Sequence, residues 1–156
     1  MEKVTWLRAL LFGALTVPMS AGAADFGMLG IVTGQTARLT VVNLATGQVP
    51  ADPCRVQLSF LGTTGQPVQG DGGPVVTTAT LAPGAAAFLD LRSPVGGGTR
   101  TAYRAVVHKL TPSGSESAPR CNLVATGELF DSFSGKTAVA YPTDACIGGA
   151  CRSVEP

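Results

Sequence analysis

The sequence has 156 residues, with eleven basic and ten acidic side chains and a formal net charge of +1. Nucleic acids and anionic membranes attract proteins with a basic surplus, so this balance argues against both as partners. Only 13% of the residues are charged and glycine is abundant. The length suits one domain, and this composition, rich also in valine and threonine, indicates an all-β protein outside the cytoplasm.

The first 23 residues have the features of a secretory signal peptide. Lys3 and Arg8 supply a positive start, an apolar run covers residues 9–19, and the sequence AGA ends at Ala23 as a cleavage site. The apolar run is shorter than the about 20 residues that cross a bilayer, so we expect cleavage and no membrane span. Cleavage would remove two basic and one acidic side chain and leave nine of each. We therefore predict a secreted or periplasmic protein with a mature net charge near zero.

Short runs of alternating apolar and polar side chains follow from residue 24 to residue 142, with the two-residue period of half-buried strands. The clearest run is CRVQLSF, in which Cys54, Val56, Leu58 and Phe60 share one face. Glycine- and proline-rich turns separate the runs, and no helical period appears. The other runs, in chain order, are TARLTVV (36–42), VVTTATL (75–81), AAAFLDL (85–91), TAYRAVV (101–107), CNLVATGEL (121–129) and TAVAY (137–141).

Seven or eight such strands must close their apolar faces against one another, which predicts two packed antiparallel sheets, with a barrel as the alternative. The strand rhythm, with GQTARLTVVN at 34–43 and LAPGAAAFLDL at 81–91, resembles that of the immunoglobulin-like sandwiches of exported bacterial proteins, including small secreted proteins of unknown function. The resemblance covers about residues 26–142 and implies an immunoglobulin-like antiparallel β-sandwich. It carries over no functional residues, and the core tryptophan of antibody domains is missing, because Trp6 lies in the predicted signal peptide.

The four cysteines favour disulfides over free thiols in an exported chain. Cys54 and Cys121 each begin a strand on its apolar face, so a bridge between them would cross the core. That bridge would close a loop of about 66 residues and contribute about 4 kcal/mol through chain entropy. Cys146 and Cys151 would then form a clip in the C-terminal tail, residues 143–156. The other two pairings remain open, because a sequence alone does not determine connectivity.

The residues for metal or acid–base chemistry are sparse. His108 is the single histidine, whereas blue-copper and catalytic zinc sites usually take two or three, so we predict no metal and no cofactor. The strand pattern places His108 beside Arg104, opposite Tyr103, as a solvated residue. We predict no catalytic residue; the alternative is a small extracytoplasmic hydrolase in which folding brings a serine or an aspartate to His108. The acidic residues stand singly at turns and strand ends, among them Asp52, Asp71, Asp90, Glu128 and Asp131.

Two loops partly match ligand-binding motifs. SGKT at 134–137 ends like a phosphate-binding loop, but Phe130 stands where the motif needs glycine, so we predict a hairpin loop with Gly135 at positive φ. GDGGP at 70–74 has one aspartate, too few for calcium. A solvated surface, or alternatively a modest anion-binding edge, would be formed by Arg92, Arg100, Arg104, His108 and Lys109.

These observations favour a non-catalytic binding, structural or surface-assembly protein whose partner is another protein or a surface component. The segment ADFGMLGIV at 24–32 is either the first strand of its own domain, which we favour, or a strand donated to another molecule's sheet. A carbohydrate-binding module is disfavoured, because such sites stack sugars on exposed aromatic rings and Tyr103 and Tyr141 follow the apolar pattern.

Overall fold

A computed structural model describes residues 23–44, 53–93, 100–110 and 121–142. These residues form β-strands and no helix, so none of them belongs to a helix that could cross a membrane. The strands are β1 (Ala23–Asp25), β2 (Leu29–Ile31), β3 (Gln35–Asn43), β4 (Cys54–Leu61), β5 (Gln69–Gly70), β6 (Gly73–Pro74), β7 (Val76–Leu81), β8 (Ala86–Arg92), β9 (Thr101–Leu110), β10 (Leu123–Asp131) and β11 (Thr137–Pro142).

Two antiparallel sheets pack face to face, which confirms the predicted all-β sandwich. The first sheet has the order β9–β4–β7, with β1 and β2 pairing successive parts of the free edge of β9. The second has the order β11–β10–β3–β8, and β5 and β6 form a separate small hairpin. Among the described residues, seven strands have six or more residues, and β1 with β2 makes an eighth, in agreement with the predicted number.

The strand pairing can be compared with that of immunoglobulin sandwiches. Counting β1 and β2 together as the first strand, the β3–β8 and β4–β9 pairs match the B–E and C–F pairs of that fold. The first strand pairs with β9, and β10 pairs with β3. In an immunoglobulin domain the first strand instead joins the sheet of B, and the last strand, the counterpart of β10, joins the sheet of F. The two sheets of this protein therefore exchange these two strands relative to that fold.

The core consists of the faces that the alternating pattern predicts. Cys54, Val56, Leu58 and Phe60 of β4 are all buried, and the Phe60 ring meets the buried Tyr103 ring edge to face with centroids 5.3 Å apart. From the opposite sheet, the buried side chains include Ala37, Leu39, Val41, Leu123 and Ala125. Burial of this apolar surface is the main favourable contribution to folding.

A disulfide joins Cys54 to Cys121, as predicted, with the Cα atoms 5.8 Å apart. Cys54 begins β4 in one sheet, and Cys121 lies two residues before β10 in the other. The bridge therefore links the two sheets across one end of the core. Cys146 and Cys151, with the rest of the predicted tail, lie outside the described residues, as does the predicted signal peptide up to residue 22.

Asn43 is a fold-determining residue that the pattern does not reveal, since it stands at the start of a turn-rich stretch. It is the last residue of β3 and is fully buried. Its side-chain Nδ2 donates to the Leu81 carbonyl oxygen at 3.1 Å, while its own carbonyl accepts from the Gly84 N–H at 2.8 Å. These bonds hold the end of β3 against the turn between β7 and β8, where Gly84 has a φ of 78°.

The segment at residues 24–32 lies along β9 of its own chain. Ala24 and Ile31 are fully buried, and between β1 and β2 the Phe26 N–H donates to the Ala105 carbonyl oxygen at 3.0 Å. In this structure the segment is therefore the first strand of its own domain, which is the interpretation that we favour from the sequence.

Candidate binding face

The outer side of the four-stranded sheet carries a group of polar, charged and aromatic side chains that contact one another. Because Ala37, Leu39 and Val41 point into the core, their neighbours on β3 point outward. We call this surface the Arg38 face. It is formed by Thr36, Arg38, Thr40, Phe88, Asp90, Arg92, Glu128 and Phe130.

Arg38 lies at the centre of the Arg38 face. The register places Asp90 of β8 on one side of it and Glu128 of β10 on the other. Arg38 Nε donates to Asp90 Oδ1 and Arg38 Nη2 to Asp90 Oδ2, each at 2.8 Å. The hydrogen bond to Asp90 raises the pKa of Arg38 above its ordinary value, against the opposing effect of burial, and the charges of Asp90 and Glu128 add to the rise. The guanidinium is thus a permanent cation in a fixed orientation.

Two phenylalanine rings also contact the Arg38 guanidinium. Its Cζ lies 4.5 Å from the centre of the Phe88 ring and 5.2 Å from that of Phe130. The two rings come from strands on either side of β3, at positions diagonal to Arg38. Both distances are within the range of cation–π attraction. Phe88 nevertheless remains 60% exposed, so much of its apolar surface faces solvent.

A shallow depression of about 270 Å³ lies at one end of the Arg38 face. Thr36 and Ser132 meet there, with their hydroxyl oxygens 2.7 Å apart. The Ser132 N–H donates to the Gly34 carbonyl oxygen at 2.7 Å, which fixes the loop after β10 against the turn before β3. The depression is lined by Thr36, Arg38, Asp90, Arg92, Phe130 and Ser132.

The loop between β10 and β11 is a tight hairpin, as predicted for SGKT, and Gly135 has a φ of 68°. Asp131 Oδ1 accepts hydrogen bonds from the N–H groups of Phe133 and Ser134 and from the Ser134 hydroxyl, at 3.1, 2.7 and 2.8 Å. The bond from the Ser134 N–H is the largest cause of a lowered pKa of Asp131. This network holds the loop in a conformation that leaves Phe133 92% exposed.

His108 lies on the outer side of the other sheet, partly exposed, as the strand pattern predicts. Ala23 and Gln57 face it across the neighbouring strands, and Asp25 and Ser59 occupy the diagonal positions. Among the described residues His108 makes no hydrogen bond or ion pair with either of them. Asp25 instead pairs with Arg104 at 3.1 Å, and Ser59 is buried. Neither Asp25 nor Ser59 is therefore paired with His108 in the way that a nucleophile or an orienting carboxylate pairs with a catalytic base.

The hypothesis of a single anion-binding edge is wrong. Arg92 lies on the Arg38 face, whereas Arg104 and His108 lie on the outer side of the other sheet. Lys109 points to the core side of β9 and is buried. Arg100 covers Gly30 of β2 and occupies the space that a Cβ at Gly30 would need. His108 and Lys109 face opposite sides because successive strand residues alternate, and Arg92 is apart from both because β8 belongs to the other sheet.

The acidic residues are not all isolated, contrary to the prediction from the sequence pattern. Asp90 and Glu128 are 38 positions apart by number, yet the sheet brings them to either side of Arg38. The strand register is needed to see this grouping. The sequence pattern shows only that each of the two residues is polar and points outward from its strand. Within the described ranges, no three His, Cys, Asp or Glu side chains are arranged to hold a metal ion. Asp52 lies outside those ranges.

Comparisons with known proteins give little further information. No family model matches the sequence, and no curated protein matches it. Among solved structures, the chain is similar to Thermotoga maritima 1070, with 16% sequence identity and a TM-score of 0.43, over 81% of this chain and 98% of that one. A likeness at this TM-score supports no conclusion about function.

Proposed function

We propose that this chain is an exported, non-catalytic β-sandwich that binds another protein through the Arg38 face. The observation that carries the proposal is the exposed Phe88 ring held against Arg38. Arginine and aromatic side chains are enriched at the centres of protein interfaces and account for much of their binding energy. An apolar ring that stays 60% exposed has surface to bury in a partner.

The rigidity of the Arg38 face supports the same proposal. Binding usually costs side-chain entropy, because mobile groups must be ordered at the interface. Here two hydrogen bonds to Asp90 and two rings already restrict the Arg38 side chain. A partner would therefore order this group at little further cost.

Two features support export as part of the proposal. Residues 1–23 have the features of a secretory signal peptide. The Cys54–Cys121 disulfide is of the kind that persists in oxidising compartments such as the periplasm and the extracellular medium. N-terminal sequencing of the protein recovered from outside the cytoplasm would test this part of the proposal, which predicts a mature chain that begins at Ala24.

Site-specific photo-crosslinking tests the binding function. A photoreactive phenylalanine analogue replaces Phe88 in one variant and Thr78 in a control, since Thr78 is exposed on the outer side of the opposite sheet. The proposal predicts one discrete crosslinked protein from the Phe88 position and none from the Thr78 position, after irradiation in the producing cells. The same adducts from both positions, or none from either, would reject the Arg38 face as the binding surface.

A further inference from the structure

We propose that the depression on the Arg38 face, beside Arg92, is a subsite for a carboxylate, supplied by an acidic side chain of the partner protein. The source of the carboxylate rests on the proposed function, whereas the chemistry of the subsite rests on the residues of the depression itself. The charge, the hydrogen-bond donors and the size of the depression support a carboxylate ligand.

Among the residues that line the depression, positive charges outnumber negative ones. Arg38 and Arg92 are its two cations and Asp90 is its one anion. Both hydrogen bonds of the Asp90 carboxylate go to Arg38. Arg92 is exposed and makes no hydrogen bond or ion pair with any described residue. Because guanidinium groups match carboxylates with two parallel hydrogen bonds, Arg92 is the group that a carboxylate would engage.

A hydroxyl donor lies in the same depression. The hydroxyls of Thr36 and Ser132 share one hydrogen bond, at 2.7 Å. Each hydroxyl has one proton, so the hydroxyl that accepts this bond still has a proton to donate elsewhere. Thr36 is only 2% exposed whereas Ser132 is exposed, so a ligand can reach Ser132 alone. We assign Thr36 as donor to Ser132, which leaves the Ser132 hydroxyl to donate to the bound carboxylate.

The size of the depression favours one side chain over a larger ligand. Its volume of about 270 Å³ is below the range of roughly 300–1,000 Å³ that is usual for small-molecule sites. The Phe130 ring forms an apolar wall beside the polar groups. A glutamate, with its carboxylate on Arg92 and its methylene groups on Phe130, satisfies all three features.

A titration followed by NMR of backbone amides tests the subsite on the protein purified after export. The probe is acetyl-glutamate amide, and its neutral control is acetyl-glutamine amide. We expect the glutamate probe to shift the amides of Thr36, Arg92 and Ser132, with weak affinity because the site is open to water. Equal binding of the glutamine probe, or shifts that spare these amides, would overturn the proposal.

Variants separate the subsite from general attraction between charges. Arg92→Met should weaken binding of the glutamate probe about tenfold, since it removes a charged hydrogen-bond donor. Arg55→Met is the matched control, because Arg55 is exposed on the outer side of the opposite sheet, and it should leave the affinity unchanged. Equal losses in both variants would show a long-range charge effect and overturn the subsite.

Two further probes identify the ligand chemistry and its source. Inorganic phosphate should bind more weakly than the glutamate probe, and tighter phosphate binding would overturn the assignment to carboxylates. Acetate should also bind more weakly, because it lacks the methylene groups that contact Phe130. Acetate binding as tight as that of the glutamate probe would overturn the side-chain source and indicate a free small acid. If the glutamate probe binds but Phe88 gives no crosslink, the partner-binding function is rejected and the carboxylate subsite is kept. If Phe88 gives a crosslink but the probe does not bind, the subsite is rejected and the partner-binding function is kept.

Discussion

At the residue scale, Arg38 organises the outer side of the four-stranded sheet. It makes two hydrogen bonds to Asp90 and also contacts two phenylalanine rings. The ion pair is only partly exposed, with 35% of the Arg38 side chain and 24% of the Asp90 side chain accessible to solvent. Charged pairs with two parallel hydrogen bonds and restricted side chains stabilise proteins more than ordinary surface pairs do. A different ion pair of the described residues, Arg104 with Asp25, has a single contact and is more exposed.

The two ion pairs should therefore differ in their contribution to stability. We expect Asp90→Asn to lower the free energy of unfolding by about 1 kcal/mol and Asp25→Asn to lower it by less than about 0.5 kcal/mol. Urea denaturation of the two variants and the parent protein measures both values. A loss for Asp25→Asn equal to that for Asp90→Asn would contradict this ranking.

The stability that Asp131 contributes should depend on pH. Hydrogen bonds from Ser134 and Phe133 lower the pKa of Asp131 in the folded protein. The stability that it contributes is thus present above the pKa of an unfolded aspartate, about 3.9, and is lost as the pH falls through the lower folded value. Ser134→Ala removes the hydroxyl donor and keeps the N–H, so it should move the pKa of Asp131 part of the way toward its ordinary value.

Carboxyl ¹³C NMR against pH measures this shift directly. Ser132→Ala, in which the hydroxyl that is lost bonds to Thr36 and not to Asp131, is the control and should leave the pKa of Asp131 unchanged. An Asp131 that titrates normally in the parent protein would disprove the proposed hydrogen-bond network.

At the scale of the element, the alternating pattern predicts which side of each strand faces the core but not which strands are neighbours. Phe88 shows the limit. Its apolar ring lies on the same outward side of β8 as the polar residues Asp90 and Arg92. Nothing in AAAFLDL shows that Arg38 lies beside it. The register depends on turns and on the whole set of packed faces, which are long-range features. Val139 illustrates another limit, since it follows the core-side pattern yet is 40% exposed on the edge strand β11.

Asn43 allows a test of how elements are joined. Asn43→Ala would leave the buried Leu81 carbonyl without this donor, so we expect a loss of about 1–3 kcal/mol in the free energy of unfolding. Asn122→Ala is a suitable control because Asn122 is exposed, and its effect should stay within about 0.5 kcal/mol. Amide hydrogen exchange should also become faster at Gly84 and Ala85 in the Asn43 variant. Unchanged exchange there would show that the turn does not depend on Asn43.

At the scale of the whole molecule, a disulfide and a continuous apolar core hold the two sheets together. The position of Cys54 and Cys121 on apolar faces favours a bridge between them, because inward-facing cysteines can meet across a core, but the sequence alone leaves the other two pairings open. The sheets to which β1 with β2 and β10 belong could not be predicted, since the side-chain pattern of a strand does not depend on which of two sheets it joins.

Removal of the inter-sheet disulfide tests its contribution to global stability. Replacing both Cys54 and Cys121 by alanine should lower the free energy of unfolding by about 4 kcal/mol, because a cross-link over a 67-residue separation restricts the unfolded chain. Thermal or urea unfolding measures the loss. A double variant as stable as the parent would show that packing alone holds the sheets together.

The proposed function places Phe88 in the contact between the Arg38 face and a partner protein. The most direct measurement is the dissociation constant of the crosslinked partner for the parent protein, Phe88→Ala and Thr78→Ala. We predict at least a tenfold weaker complex for Phe88→Ala and no change for Thr78→Ala. Truncation of a central aromatic contact at an interface hot spot costs about 2 kcal/mol or more, and a tenfold change corresponds to about 1.4 kcal/mol. An unchanged dissociation constant for Phe88→Ala, in a variant that folds normally, would contradict the claim.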